Sequence, residues 1–187
     1  AIYDREVYAT SGPRIAVRFF AGWDYQPELL ERADVVRKAY EGGVPMGGEL
    51  SGAGRKTPKF VVLAGKDALG ANLDRVQIVK GWVDADGATH DKVVDVAWSG
   101  ERQPGADGRL PPVGNTVDLA TATYRNTIGS GELAAVWEDP EFDPQQRALY
   151  YARVLEIPTP RWTTFDAVRA GLPLPDNVPP TVQERAW

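Results

Sequence analysis

Few of these 187 residues are of types that do chemistry, and the best of them sit in two short runs. In PTPRWTTF, residues 158–165, Arg161 can neutralise an anionic oxygen. The unpaired N–H groups at the start of the helix that follows would add to the same field. Trp162 between them can stack on a ligand or keep water from the ion pair. A phosphate or sulfate ester suits that triplet. The plainer reading has Trp162 plugging the core and Arg161 paired with a local carboxylate. The second run is the corner Ser11-Gly12-Pro13-Arg14, where Arg14 can reach toward a neighbouring catalytic unit or simply cap a turn in solvent.

The missing types exclude more than the present ones suggest. There is no cysteine and a single histidine, His90, in the polar run DADGATHDK. Zinc and iron sites draw on several imidazoles or thiolates, so no His-rich metal site can be built here, and the expected metal ligand set is none. No nucleophile elbow accompanies His90. Asp84-x-Asp86-Gly87 opens like a calcium loop, but Asp95 stands where the bidentate glutamate belongs, so a hairpin turn is expected. The acids of 138–143 (EDPEFD) read as a solvated loop. The glycine-rich 42–54 lacks a phosphate-loop pattern and reads as a flexible connection. A net charge of −5 with scattered Lys and Arg argues against nucleic acid as a partner. No apolar run is long enough to span a membrane.

The elements that must hold these residues are mostly strands. Residues 73–83 (LDRVQIVKGWV) alternate, with Val76, Ile78 and Lys80 on one face against Arg75, Gln77 and Val79 on the other. After the 84–87 turn, 92–98 returns as the second arm of a hairpin. Runs 5–10, 14–20, 59–64, 116–126, 132–137 and 146–156 add six strand candidates. Helix is the minority: 27–40, with a break at Ala33-Asp34, and 164–170. For the second, Thr163 and Asp166 make a capping box, Gly171 closes the end and Pro173 blocks continuation. Short strands between Gly/Pro-rich turns predict an all-β, immunoglobulin-like sandwich of roughly seven strands with one or two short helices in loops. Within that plan most tryptophans fall in or beside patterned strands and are expected to fill the core. The alternative is a carbohydrate- or ligand-binding module that stacks sugars on exposed rings.

The strings REVYATSGPRI, GVPMGG, NLDRVQIVKGW, ATATYRNTIG, LAAVWEDPEFDP and YYARVLEIPTPRWTTFDAVRAGLPLP resemble the C-terminal part of the bacterial domain of unknown function 3604 family, over essentially the whole chain. In that family the preceding part is similar to PHP-type (polymerase and histidinol phosphatase) metal-dependent hydrolases, whose metal-binding histidines lie outside these residues. The resemblance implies that 1–20 is the end of a PHP-like domain or the first strands of the sandwich, and that 21–187 is the sandwich. It implies a non-catalytic piece of a longer hydrolase of the ester or phosphoester class. The divalent ions would be held by that longer protein's N-terminal histidines, and its PHP-like domain would be the partner. No cofactor is expected in this chain, and an exported, periplasmic parent is compatible with the lack of cysteine. The abrupt ends read as cuts, and a shortened last strand predicts an unpaired sheet edge near Arg153 or Trp187, open to homodimerisation.

Overall fold

Side-chain alternation sets most of the architecture. The computed structural model describes residues 2–51 and 57–187. In chain order the strands are β1 (Ala16–Gly22), β2 (Gly43–Pro45), β3 (Lys59–Gly65), β4 (Leu73–Val83), β5 (Thr89–Trp98), β6 (Glu132–Glu138), β7 (Ala148–Glu156), β8 (Thr159–Pro160), β9 (Thr181–Val182) and β10 (Arg185–Ala186). Two antiparallel four-stranded sheets, β2-β1-β3-β6 and β10-β7-β4-β5, face each other, and β8 pairs with β9 apart from them. The seven strands β1, β3, β4, β5, β6, β7 and β10 divide between the sheets as in an immunoglobulin-type sandwich.

The core lies between the sheets. Val17, Phe19, Phe60 and Val62 of one sheet meet Val76, Ile78, Ala152 and Val154 of the other, with Leu73 and Ala186 fully buried among them. The predicted break in 27–40 is present: a 3-10 turn over Pro27–Glu31 is followed by α1 (Val35–Gly42). Arg32 and Arg37 both pair with Asp34 at the join. These turns cover the outer face of the first sheet, where Phe20, Tyr25, Ala39 and Val61 form a second buried cluster. The Tyr25 hydroxyl donates to the Ala39 carbonyl at 2.5 Å. Glycine is required beneath that ring: a Cβ on Gly43 would stand 2.1 Å from the Ala21 carbonyl oxygen and 2.4 Å from the Tyr25 hydroxyl.

Several expectations need correction. Residues 5–10 form no named strand: after a turn with Arg5 at φ 60°, an extended run meets the C-terminal segment, with Thr10 bridged to Ala186 and Ala9 exchanging backbone bonds with Trp187. Residues 116–126 are a turn, not a strand. Their threonine content suggested β structure, but Thr116 Oγ1 donates to the Arg125 carbonyl at 2.7 Å and Asp118 accepts from the Ala120 N–H at 2.9 Å. Side chains that bond their own backbone compete with a ladder. Part of 42–54 is ordered as β2 and pairs with β1, while residues 52–56 lie outside the described residues. His90 belongs to β5 rather than to the turn. It stacks on Trp82, and its ring Nε2 lies 2.6 Å from Asp84.

Two buried charged networks brace the second sheet. Asp74, 1% exposed, accepts from Arg102 at 2.7 Å, Arg75 at 3.1 Å and Gln183 at 2.9 Å, which ties the 99–111 connection and the C-terminal segment to β4. Lys80 donates to Asp139 at 2.6 Å and to the Glu141 carbonyl at 2.8 Å, and Tyr150 donates to the same Asp139 oxygen at 2.7 Å. The 138–143 acids are therefore not simply solvated. Burial works to raise the Asp139 pKa, but the bonds from Lys80 and Tyr150 overcome it and hold the group below the usual carboxylate range.

Candidate functional site

β7 alternates Tyr150, Ala152, Val154 and Glu156 toward the interior, so its final inward position carries a carboxyl group. Glu156 is 2% exposed. Strand register gathers the corner before β1, the 66–72 connection, the 126–131 connection and the residues before β10 around it. The Ala71 N–H bonds the carboxylate, while Oε1 has no hydrogen-bond partner among the described residues. Gly70 is small because a Cβ there would stand 2.9 Å from Asp67 Cβ and 3.2 Å from Glu156 Oε1.

Burial is the main cause that pushes the Glu156 pKa up to about 7, with the charges of Glu184 and Asp67 adding to it and Lys66 opposing. Lys66 is itself occupied, donating to the Gly70 carbonyl at 3.2 Å and to Asn72 Oδ1 at 3.1 Å. Burial likewise raises the Tyr124 hydroxyl, helped by Glu156 and Asp67. This end of the sandwich therefore holds a carboxylic acid that is neutral below about pH 7 and ionised above it.

The predicted corner is part of this site. Ser11 donates to the Glu184 carboxylate, and its Oγ accepts the Arg185 N–H at 2.9 Å. The Arg14 backbone N–H donates to Asp67 at 2.7 Å, and its guanidinium approaches the same oxygen at 3.5 Å with 83% of the side chain exposed. The N–H groups of Arg14 and Leu69 lower the Asp67 pKa. Ser11 and Arg14 thus hold the two acids that face Glu156.

Arg161, Trp162 and Thr163 lie apart, beside the β8–β9 pair. Arg161 donates from Nε to the Pro179 carbonyl at 2.9 Å and from its backbone to Pro180 at 2.9 Å, so its partner is a carbonyl and not the carboxylate expected. Helix α2 (Trp162–Ala170) begins earlier than predicted, with Arg161 at its N-cap and no side-chain cap bond. Thr163 therefore does not cap it, and its Oγ1 is buried with no partner among the described residues. Thr164 is the bonded threonine, donating to Pro180 at 2.7 Å. Gly171 closes the helix in the left-handed region at φ 64°, as expected. Trp162 is 70% exposed and plugs nothing.

The remaining acids act locally. Asp84 accepts the Asp86 and Ala88 N–H groups at 3.0 and 2.9 Å, and Gly87 takes φ 83°, a hairpin turn as expected. Among the described residues no group of three His, Asp or Glu side chains is placed to hold a metal ion. No helix among them is long and apolar enough to cross a membrane.

A family model described as "Protein of unknown function (DUF3604)" matches residues 1–187. The chain belongs to this family. No curated protein and no solved structure matches it. In this DUF3604 chain Glu156, Asp67 and Glu184 belong to no motif, which is why motif reading passes over them. The available signal was the period-2 pattern of YYARVLE, which puts Glu156 on the same face as Ala152 and Val154.

Proposed function

We propose that this chain is a non-catalytic β-sandwich of a larger PHP-like, metal-dependent hydrolase-type protein, supporting and partly covering its active site. The observation that carries the reading is the N-terminal segment. Ile2, Tyr3, Val7 and Tyr8 are 82%, 101%, 52% and 44% exposed, a run of large apolar side chains in the segment that leads into the sandwich. Exposed apolar surface of that extent marks a contact face. The segment is braced from behind, since Tyr40 donates to Glu6 and Arg5 approaches Glu49 at 3.8 Å. The metal would be held by N-terminal histidines of the larger protein, and the partner is its PHP-like domain.

The test is to replace Ile2 and Tyr3 by serine in the full-length protein. The reading expects limited proteolysis between the two parts to accelerate and hydrolytic activity to fall, with the thermal midpoint of the isolated 187-residue chain unchanged. Unchanged proteolysis and activity overturn it. A ligand-binding module has one observation in its favour, Trp162 standing exposed beside Arg161. A soluble oligosaccharide or phosphate ester that shifts Trp162 fluorescence would favour that reading instead.

A further inference from the structure

At the end of β7 three acids from segments distant in sequence meet. Glu156 is 2% exposed, and its backbone holds the C-terminal segment: its N–H donates to the Glu184 carbonyl at 2.9 Å, and its carbonyl accepts from Gln183 at 2.8 Å. The 66–72 connection crosses its other side, where Asp67 and Glu156 Oε1 both crowd Gly70. Asp67 is also largely covered, with 12% of its side chain exposed.

The N-terminal corner is fastened to both acidic neighbours of Glu156. Ser11 donates from Oγ to the Glu184 carboxylate. It also exchanges two bonds of 2.9 Å with Arg185, one from its own N–H to the Arg185 carbonyl and one from the Arg185 N–H to its Oγ. The Arg14 N–H donates to Asp67 at 2.7 Å. Thr10 bridges Ala186 and Ala9 exchanges backbone bonds with Trp187, so the sheet edge expected to stand open near Trp187 is paired. Corner and C-terminal segment therefore dock as one unit, and two of the acids around Glu156 are their fastening points.

Among the described residues, the charged or titratable groups facing Glu156 are Asp67 and Lys66 from the 66–72 connection, Glu184 from the C-terminal segment and Tyr124 from the 116–126 turn. Arg14 stands behind Asp67, its guanidinium 3.5 Å away and mostly in solvent. The Lys66 ammonium is engaged by the Gly70 carbonyl and Asn72. Glu156 Oε1 is buried with no donor on it among the described residues. A neutral carboxyl group sits in this place without repulsion. An ionised one meets two carboxylates where little water screens them. Exposure and pairing decide what gives way. Glu156 is paired with Leu73 inside the sheet, whereas Ser11 and Arg14 are exposed, Glu184 is half-buried, and β10 holds β7 at two residues.

We propose that Glu156, Asp67 and Glu184 form a proton-operated latch. While Glu156 holds its proton, the corner 9–14 and the segment 183–186 stay docked on β7. Its ionisation sets three carboxylates against one another and shifts corner and segment together toward an undocked state. The N–H groups of Arg14 and Leu69 keep Asp67 charged, so Glu156 is the group that switches. Acid closes the latch and alkali loosens it. The inference stands apart from the reading of residues 2–8 as a contact face, although the chain runs from that face directly into the latch.

The test is hydrogen exchange at the Ser11, Arg14, Glu156 and Arg185 amides from pH 5 to pH 8.5, expressed as protection factors and repeated in urea well below the unfolding midpoint. Glu156 titrates at about 7 when docked and at the ordinary 4.5 when released, so opening grows as pH rises toward 7 and levels off above it. The proposal expects protection at these amides to fall by at least ~10-fold from pH 5 to pH 8, independently of urea as a local opening must be. E156Q should be flat. E184Q removes one facing charge, so its fall should be smaller and level off at lower pH, which decides the matter even if E156Q does not fold. Flat protection in wild type, the same fall in E156Q, or an E184Q profile equal to wild type overturns the latch. A fall that deepens with urea in step with the core amides of β3 and β4 also overturns it, since the proton then acts on global unfolding alone.

Discussion

Replacing Glu156 by glutamine isolates the one strongly displaced carboxyl group at the candidate site. Its folded pKa of about 7 stands above the ordinary glutamate value of 4.5, so the folded chain binds this proton more tightly than the unfolded chain does. Stability from the group is fully present below the unfolded pKa and is lost as pH rises through the folded one. At about 1.4 kcal/mol per pKa unit, the displacement corresponds to a loss of roughly 3 kcal/mol between about pH 5 and pH 8. Urea denaturation at half-unit steps from pH 5 to pH 8.5 reads this directly. The wild-type chain is expected to lose stability across that window. E156Q is neutral throughout, so it should be nearly flat and the more stable of the two at pH 8. Parallel wild-type and E156Q curves from pH 5 to pH 8 would refute the assignment of a buried, neutral acid at this end of the sandwich.

Other outcomes follow from the same packing. Lys80→Met leaves Asp139 buried with only the Tyr150 hydroxyl and its local turn, and should cost roughly 3–5 kcal/mol in urea denaturation. A loss below about 1 kcal/mol would mean the pair is solvated. Gly43→Ala drives a methyl into the Ala21 carbonyl and the Tyr25 hydroxyl, and should cost about 3 kcal/mol. Gly131→Ala, which meets nothing within 4 Å, should stay within about 0.5 kcal/mol. Asp74→Asn weakens the charge that holds Arg102 and Arg75, so trypsin should cut at Arg109 in the released connection faster than in wild type.

The fold was legible where one face of a strand is buried and the other is not. The alternation in 73–83 predicted β4 with Lys80 in line with Val76 and Ile78, and 146–156 was a strand candidate that became β7. What the pattern could not supply was the partner of Lys80: Asp139 is 59 residues away and arrives through the turn after β6. Side-chain bonding defeated the strand expected at 116–126, because Thr116 bonds the Arg125 carbonyl across the turn and Asp118 the Ala120 N–H within it. The cap expected at Thr163 failed for a tertiary reason. The helix is anchored by Arg161 and Thr164 to carbonyls of Pro179 and Pro180, and that shifts its start. The corner Ser11–Arg14 was singled out as a ligand-binding candidate, and the structure places it against Glu184 and Asp67. Its role, holding Glu184 and Asp67 beside Glu156, depends on register between strands distant in sequence.

The central proposal is that chemistry resides outside this sandwich. It is tested most directly by assaying phosphodiesterase and phosphomonoesterase turnover with added Mn²⁺ or Zn²⁺, for the 187-residue chain and for the full-length protein side by side. The account predicts metal-dependent turnover by the full-length protein and none by the chain alone. Metal-dependent turnover by the isolated chain would contradict it.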